Sequence, residues 1–161
     1  MKKVIIMALA AMTMFACTRK APVEHNDNPL LDYANWTTPH GTYPFDSIHA
    51  ADYMPAFEEA LRQGRVDIDV IVRNPEAPTF ENTIEALERA GHTLSMVAGC
   101  FYNLTHSETN DSLQAIEVQL SPMMSEYSTS IILNDSLFQR IKAVYEQRDK
   151  LSLKPHQRKL L

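Results

Sequence analysis

Six histidines (His25, His40, His49, His92, His106 and His156) and two cysteines (Cys17 and Cys100) are the residues best suited to metal or nucleophilic chemistry. None of the histidines is followed by Glu, so the HExxH pattern, which sets two imidazoles on one helical face beside a glutamate base, is absent. Glu85, Glu88 and His92 stand at i, i+3 and i+7 and could share one face of a helix. Two carboxylates and an imidazole so placed read first as a solvated surface and only second as an adventitious metal site. Cys100 lies between Val97 and Phe101 in an apolar stretch with no adjacent His or Lys, which makes it a small buried hydrophobe rather than a reactive thiol. There is no G-x-S-x-G nucleophile elbow, and the four glycines form no phosphate-cradling loop. Taken alone, the residues yield no catalytic, cofactor-binding or metal-ligating set.

Composition narrows the partners. The net charge of −5 and pI near 5.6 leave no basic stripe for a phosphate backbone, which argues against nucleic acid. At the N-terminus, Lys2 and Lys3 precede an apolar run over residues 4–15, a secretory hydrophobic segment too short to span a bilayer. It ends at Ala16-Cys17, a small residue before cysteine as in a bacterial lipobox, although Met14 and Phe15 differ from the usual Leu and small residue. Lipidation at Cys17 is the expectation, with a plain secreted product or an uncleaved anchor as alternatives. The expected location is the bacterial cell envelope, as a periplasmic or outer-membrane lipoprotein held to the membrane by its lipid. With Cys17 lipidated, Cys100 has no disulfide partner.

The elements that would position any site are helical, since Ala, Leu, Met, Glu and Gln dominate. The expected organisation is a signal peptide over residues 1–16, a disordered tether over 17–27, an extended aromatic strap over 28–50 and a helical region over 51–161. The strap carries Tyr33, Trp36, Tyr43 and Phe45 among three prolines, and needs a surface to lie on. A first helix over 51–73 presents Met54, Phe57, Leu61, Ile68 and Ile71, with Pro55 in its first turn and Gly64 as its one weak position. Pro75 and Pro78 end it, Thr79 caps a second helix over 80–104, and Gly91 and Ala98 in its apolar stripe would admit a close neighbour. Asn110 and Asn134 cap two further helices, the first containing Pro122, which favours a kink. A fifth begins at Lys154-Pro155 and stops at Leu161 without a cap, as a truncated region would. The fold class is all-α, built as antiparallel helical hairpins.

The most distinctive string is NPEAPTFENTIEALERAG over residues 74–91. It is preceded by PFDSI and MPAFEEAL and followed by FYNLTHSETND, by Ile131-Ile132-Leu133-Asn134-Asp135 and by Val144-Tyr145-Glu146-Gln147-Arg148. In this order the segments resemble the N-terminal region of the thimet oligopeptidase family of zinc metallopeptidases, nearest to its bacterial peptidyl-dipeptidase (dipeptidyl carboxypeptidase) branch, over about residues 28–161. The resemblance implies a much longer helical enzyme. In such an enzyme, zinc held by an HExxH helix and a later glutamate activates water to remove dipeptides from the C-termini of short peptides, in a channel between two lobes. The matching region forms part of one lobe and supplies no zinc ligand, so no catalytic residue carries over to this chain. The implied partners are short peptides and the remainder of the peptidase lobe. Within TFENTI, Thr79 is expected to cap, Phe80 and Ile84 to pack, and Asn82 to bond nearby backbone. A reading of another class is an envelope-anchored helical binding module without enzymatic activity.

Overall fold

The computed structural model describes residues 26–161; the leader, Cys17 and most of the expected tether lie outside that range. The described residues are all-α, with no strand among them. The helices are α1 (Ala50–Val72), α2 (Ala86–Arg89), α3 (His92–Ser107), α4 (Asp111–Ile132) and α5 (Asp135–Tyr145), and a π-helical segment, Phe80–Glu85, leads directly into α2. None of these is long and apolar enough to cross a membrane.

Helix α1 is the shared partner of α3, α4 and α5. Its buried face is wider than the aliphatic stripe predicts, because Tyr53, Ala56, Ala60 and Gly64 join Phe57, Leu61, Ile68 and Ile71. Pro55 is the sixth helical residue and not part of the first turn, so the Ala51 carbonyl has no i+4 donor; the helix nevertheless continues through it. Tyr53 meets the Phe101 ring at 5.1 Å, and the Thr93 hydroxyl donates to Gln63 at 2.8 Å. Helix α3 therefore runs antiparallel to α1. Helix α4 runs with α1, since Tyr127 packs on Gly64 and Ile131 packs with the cluster of Ile68 one turn further on. Leu113, Ile116 and Leu120 extend the same core, and Pro122 does not interrupt the assigned helix.

Two glycines have roles that their helical neighbours do not reveal. A Cβ on Gly64 would lie 2.9 Å from the Tyr127 Cζ, with the phenolic oxygen closer still. Gly64 is thus the seat of a buried tyrosine from α4 rather than a weak point. Burial, helped by the charge of Asp67, raises the Tyr127 pKa and keeps the phenol protonated. Gly91 sits at φ 71°, a left-handed conformation that side chains rarely adopt, and ends the α2 segment. The single helix expected over 80–104 is therefore two pieces, and Gly91 is their hinge point rather than part of a continuous stripe.

Residues 28–48 cross the α1/α3 pair as short 3₁₀ turns at Tyr33–Asn35, Pro39–Gly41 and Phe45–Ser47. Leu30 is fully buried in the core, and the Asn28 side chain donates to the Asp52 carbonyl at 2.8 Å. Trp36 stacks edge-on against Tyr43 at 5.2 Å and donates its indole N–H to the Pro29 carbonyl at 2.8 Å. Tyr33 packs edge-on against His92, and the Tyr43 hydroxyl lies over Gly99, where a Cβ would approach it to 2.7 Å.

Candidate functional site

The segment over residues 74–91 is held by more specific polar contacts than any other. Asn74 accepts the Glu76 N–H through its side chain at 2.9 Å, turning the chain out of α1. Thr79 is extended, and its hydroxyl accepts the Asn82 N–H at 3.1 Å while the Asn82 side-chain oxygen accepts the Thr79 N–H at 2.8 Å. This reciprocal cap opens the π-helical segment with Asn where Glu or Gln is more usual. The Asn82 amide also donates to the Ala77 carbonyl at 2.9 Å. The capping and packing expected of TFENTI are present: Phe80 and Ile84 are buried, and Thr83 has no exposed surface.

From α5, Arg140 reaches across to this segment. Its Nη1 donates to the carbonyls of Asn74 at 2.9 Å and Glu76 at 3.3 Å, and its Nη2 donates to Asn82 Oδ1 at 3.2 Å. Asn82 Oδ1 also accepts from the Thr83 hydroxyl at 2.9 Å, so one oxygen gathers the loop, the cap and α5. The Arg140 Nε is buried without a hydrogen-bond partner, a cost the three donated bonds offset. Below the clamp, Phe80 and Ile84 pack with Val144, Ile141, Leu151, Leu153 and Leu161. Gln157 closes the other side by donating to Glu85 at 3.0 Å. The residues from 154 onward form a turn and a 3₁₀ helix, Gln157–Leu160, rather than the start of an α-helix.

The arrangement fixes backbone and offers no reactive group. Glu85 and Glu88 precede the Ala90–Gly91 break and His92 follows it, so the three do not share a helical face. Glu85 pairs with Arg89 at 3.5 Å, Glu88 is exposed, and His92 meets Tyr33. Among the described residues, no three of His, Cys, Asp and Glu converge where a metal ion could be held, so residues 26–161 do not fit a zinc centre. Cys100 is buried in the main core, as its sequence neighbourhood implies, with its sulfur 3.5 Å from the Tyr53 hydroxyl. Burial pushes its thiol pKa up, against a smaller opposing effect of the Tyr53 hydrogen bond. Asn110 and Asn134 accept the backbone N–H groups of Leu113 and Leu137 and so act as helix caps. Arg140 escaped the sequence reading because its acceptors lie 58 to 66 residues away. An arginine on an amphipathic helix gives no sign of such a reach.

No family model matches the chain. Over 126 residues, 78% of its length, it is 44% identical to a dipeptidyl carboxypeptidase of Salmonella typhimurium and 40% identical to one of Escherichia coli. Over 122 residues it is 28% identical to an oligopeptidase A of Escherichia coli. The chain spans less than a fifth of the length of these relatives, 18% of either dipeptidyl carboxypeptidase and 17% of the oligopeptidase. These similarities agree with the ordered motifs around residues 74–91, and over the stretch it shares with these relatives the chain is similar to the N-terminal region of the thimet oligopeptidase family.

Proposed function

We propose that this chain is the N-terminal, non-catalytic region of an exported zinc-dependent peptidyl-dipeptidase, whose substrates are short peptides cleaved near their C-termini. The observation that carries this reading is 44% identity to a dipeptidyl carboxypeptidase over 18% of that protein's length, in a segment without a metal-binding cluster among its described residues. The role that follows is architectural. The Arg140 clamp and the Thr79–Asn82 cap hold the 74–91 segment, and Ile68 and Ile71 of α1 with Leu137 of α5 pack against its Ala86, Leu87 and Ala90. Water activation at zinc belongs, in this reading, to an HExxH segment that the chain does not contain.

Its test is a peptidase assay on the purified chain with zinc supplied, using a short peptide whose released C-terminal dipeptide is quantified. The expected result is no chelator-sensitive release. Release abolished by chelation would overturn the non-catalytic role. Export and lipidation at Cys17 form the second part of the proposal, supported by the Lys2-Lys3 start, the apolar run and Ala16-Cys17. Metabolic labelling with a radioactive fatty acid should mark the wild-type chain and not the Cys17→Ser variant. Equal labelling of both would remove the lipid anchor.

A further inference from the structure

The described residues pack as two groups that meet along the C-terminal half of α1. The main core joins Leu30 of the strap to Tyr53, Phe57 and Leu61 of α1, Phe101 of α3 and Leu120 of α4. A separate cluster joins Phe80 and Ile84 to Val144 of α5, with Leu151, Leu153 and Leu161 of the C-terminal turns against them. No side chain belongs to both clusters. Helix α5 packs on the π-helical segment and on α1, whereas α3 and α4 pack on α1.

The polar contacts divide in the same way. Arg140 binds Asn74, Glu76 and Asn82, and Gln157 binds Glu85, so both ends of each bond lie within residues 74–91 and 134–161. Among the described residues, one side-chain hydrogen bond ties that group to α1, from the Gly91 N–H to the Asp67 carboxylate at 3.0 Å. The rest of the seam is apolar, with Ile68 and Ile71 of α1 against Leu137 and Leu87 and with Ile131 of α4 at its rim. Chain crossings between the groups fall where helical ladders end. One follows the end of α1 at Arg73, one is left-handed Gly91, and one is Asn134, at φ −78° and ψ 97°. Helix cooperativity stops at such residues, so unwinding of α2 need not spread into α3, nor that of α5 into α4.

We propose that residues 74–91 and 134–161 form one cooperative unit that opens and closes together while the strap, α1, α3 and α4 stay folded. The two stretches are far apart in sequence, and the Arg140 clamp and the Phe80–Val144 cluster couple them. A unit tied to itself by these contacts, and to its neighbour by one hydrogen bond and a short apolar seam, opens below the free energy of global unfolding. Opening uncovers Ile68 and Ile71 of α1. This is a property of the fold that holds with or without the peptidase reading.

Native-state hydrogen exchange on the full chain, resolved by residue and followed in rising urea, tests the coupling. The protected amides of 84–90 and 138–145 should converge on one shared opening, with exchange about tenfold or more faster than that of the slowest amides of α3. Leu153→Ala trims the cluster from the C-terminal turns, distant in sequence from both stretches. It should quicken exchange in both by the same factor, about tenfold, and leave α3 unchanged. Separate urea dependences for 84–90 and 138–145 in the wild type would overturn the unit, as would exchange in both at the rate of α3. A Leu153→Ala effect confined to 138–145, or one spread equally to α3, would overturn it too.

Discussion

Replacing Gly64 by Ala should destabilise the protein, against the direction that helix propensity dictates. In a helix interior, Ala is favoured over Gly by about 1 kcal/mol. At this position, however, the added Cβ would stand 2.9 Å from the Tyr127 Cζ and 3.2 Å from its Cε2. Tyr127 is only 8% exposed, and its ring is confined by Gly64, Gly91 and the Arg65 guanidinium, which lies 5.8 Å from the ring centroid. Relief requires displacing the ring, and overpacking of this kind costs roughly 1–3 kcal/mol. The net effect of Gly64→Ala is then a loss of about 1 kcal/mol, the clash less the propensity gain. In a Tyr127→Leu background the shorter side chain no longer fills the seat, and the same substitution should stabilise by about 1 kcal/mol. The double-mutant cycle thus has a coupling of about 2 kcal/mol and a reversal of sign. Urea unfolding of the four proteins, followed by far-UV circular dichroism, measures it. A stabilising Gly64→Ala in the native background, or an equal effect in both, would refute the seating of Tyr127 on Gly64.

Three further outcomes follow from the site and core. Arg140→Met should lose the bonds to Asn74, Glu76 and Asn82 and destabilise by about 2 kcal/mol, the scale of charge-assisted hydrogen bonds, and hydrogen exchange should quicken in the 74–83 backbone before that of α3. Cys100, buried and with its pKa raised by burial, should resist a thiol reagent in the native protein and react on unfolding in urea, with the Cys17→Ser background isolating its signal. Glu59 is held down to about 2 from 4.5, first by its hydrogen bond to Arg62 and then by that to Gln63. Its folded pKa is depressed, so its contribution is present above pH 4.5 and is lost as the pH falls toward 2. The contact is partly exposed and the contribution small, so wild type should exceed Glu59→Gln slightly in urea stability near neutrality, and the two should converge in acid.

What the sequence revealed was local. The caps at Thr79, Asn110 and Asn134 were legible because a capping side chain bonds backbone two or three residues away, inside the window that a pattern spans. Helix α1 was legible from its aliphatic spacing. The break at Ala90–Gly91 was not, because an apolar stripe of Ile84, Leu87 and Leu94 runs across it in nearly correct phase, and a π-helical segment carries no sequence period of its own. Gly64 read as a defect because its partner, Tyr127, lies on another helix; Arg140 was silent for the same reason. Glu85, Glu88 and His92 are set apart by the same break, where a straight helix would have aligned them.

The most direct test of the scaffold role is chelator-sensitive dipeptide release by the chain alone, by the separately expressed remainder of the Salmonella relative alone, and by the two together. A non-catalytic region predicts no activity from the chain, and activity from the pair that exceeds that of the remainder and is lost on chelation. Chelator-sensitive release by the chain alone, or a remainder equally active with and without it, would contradict that role.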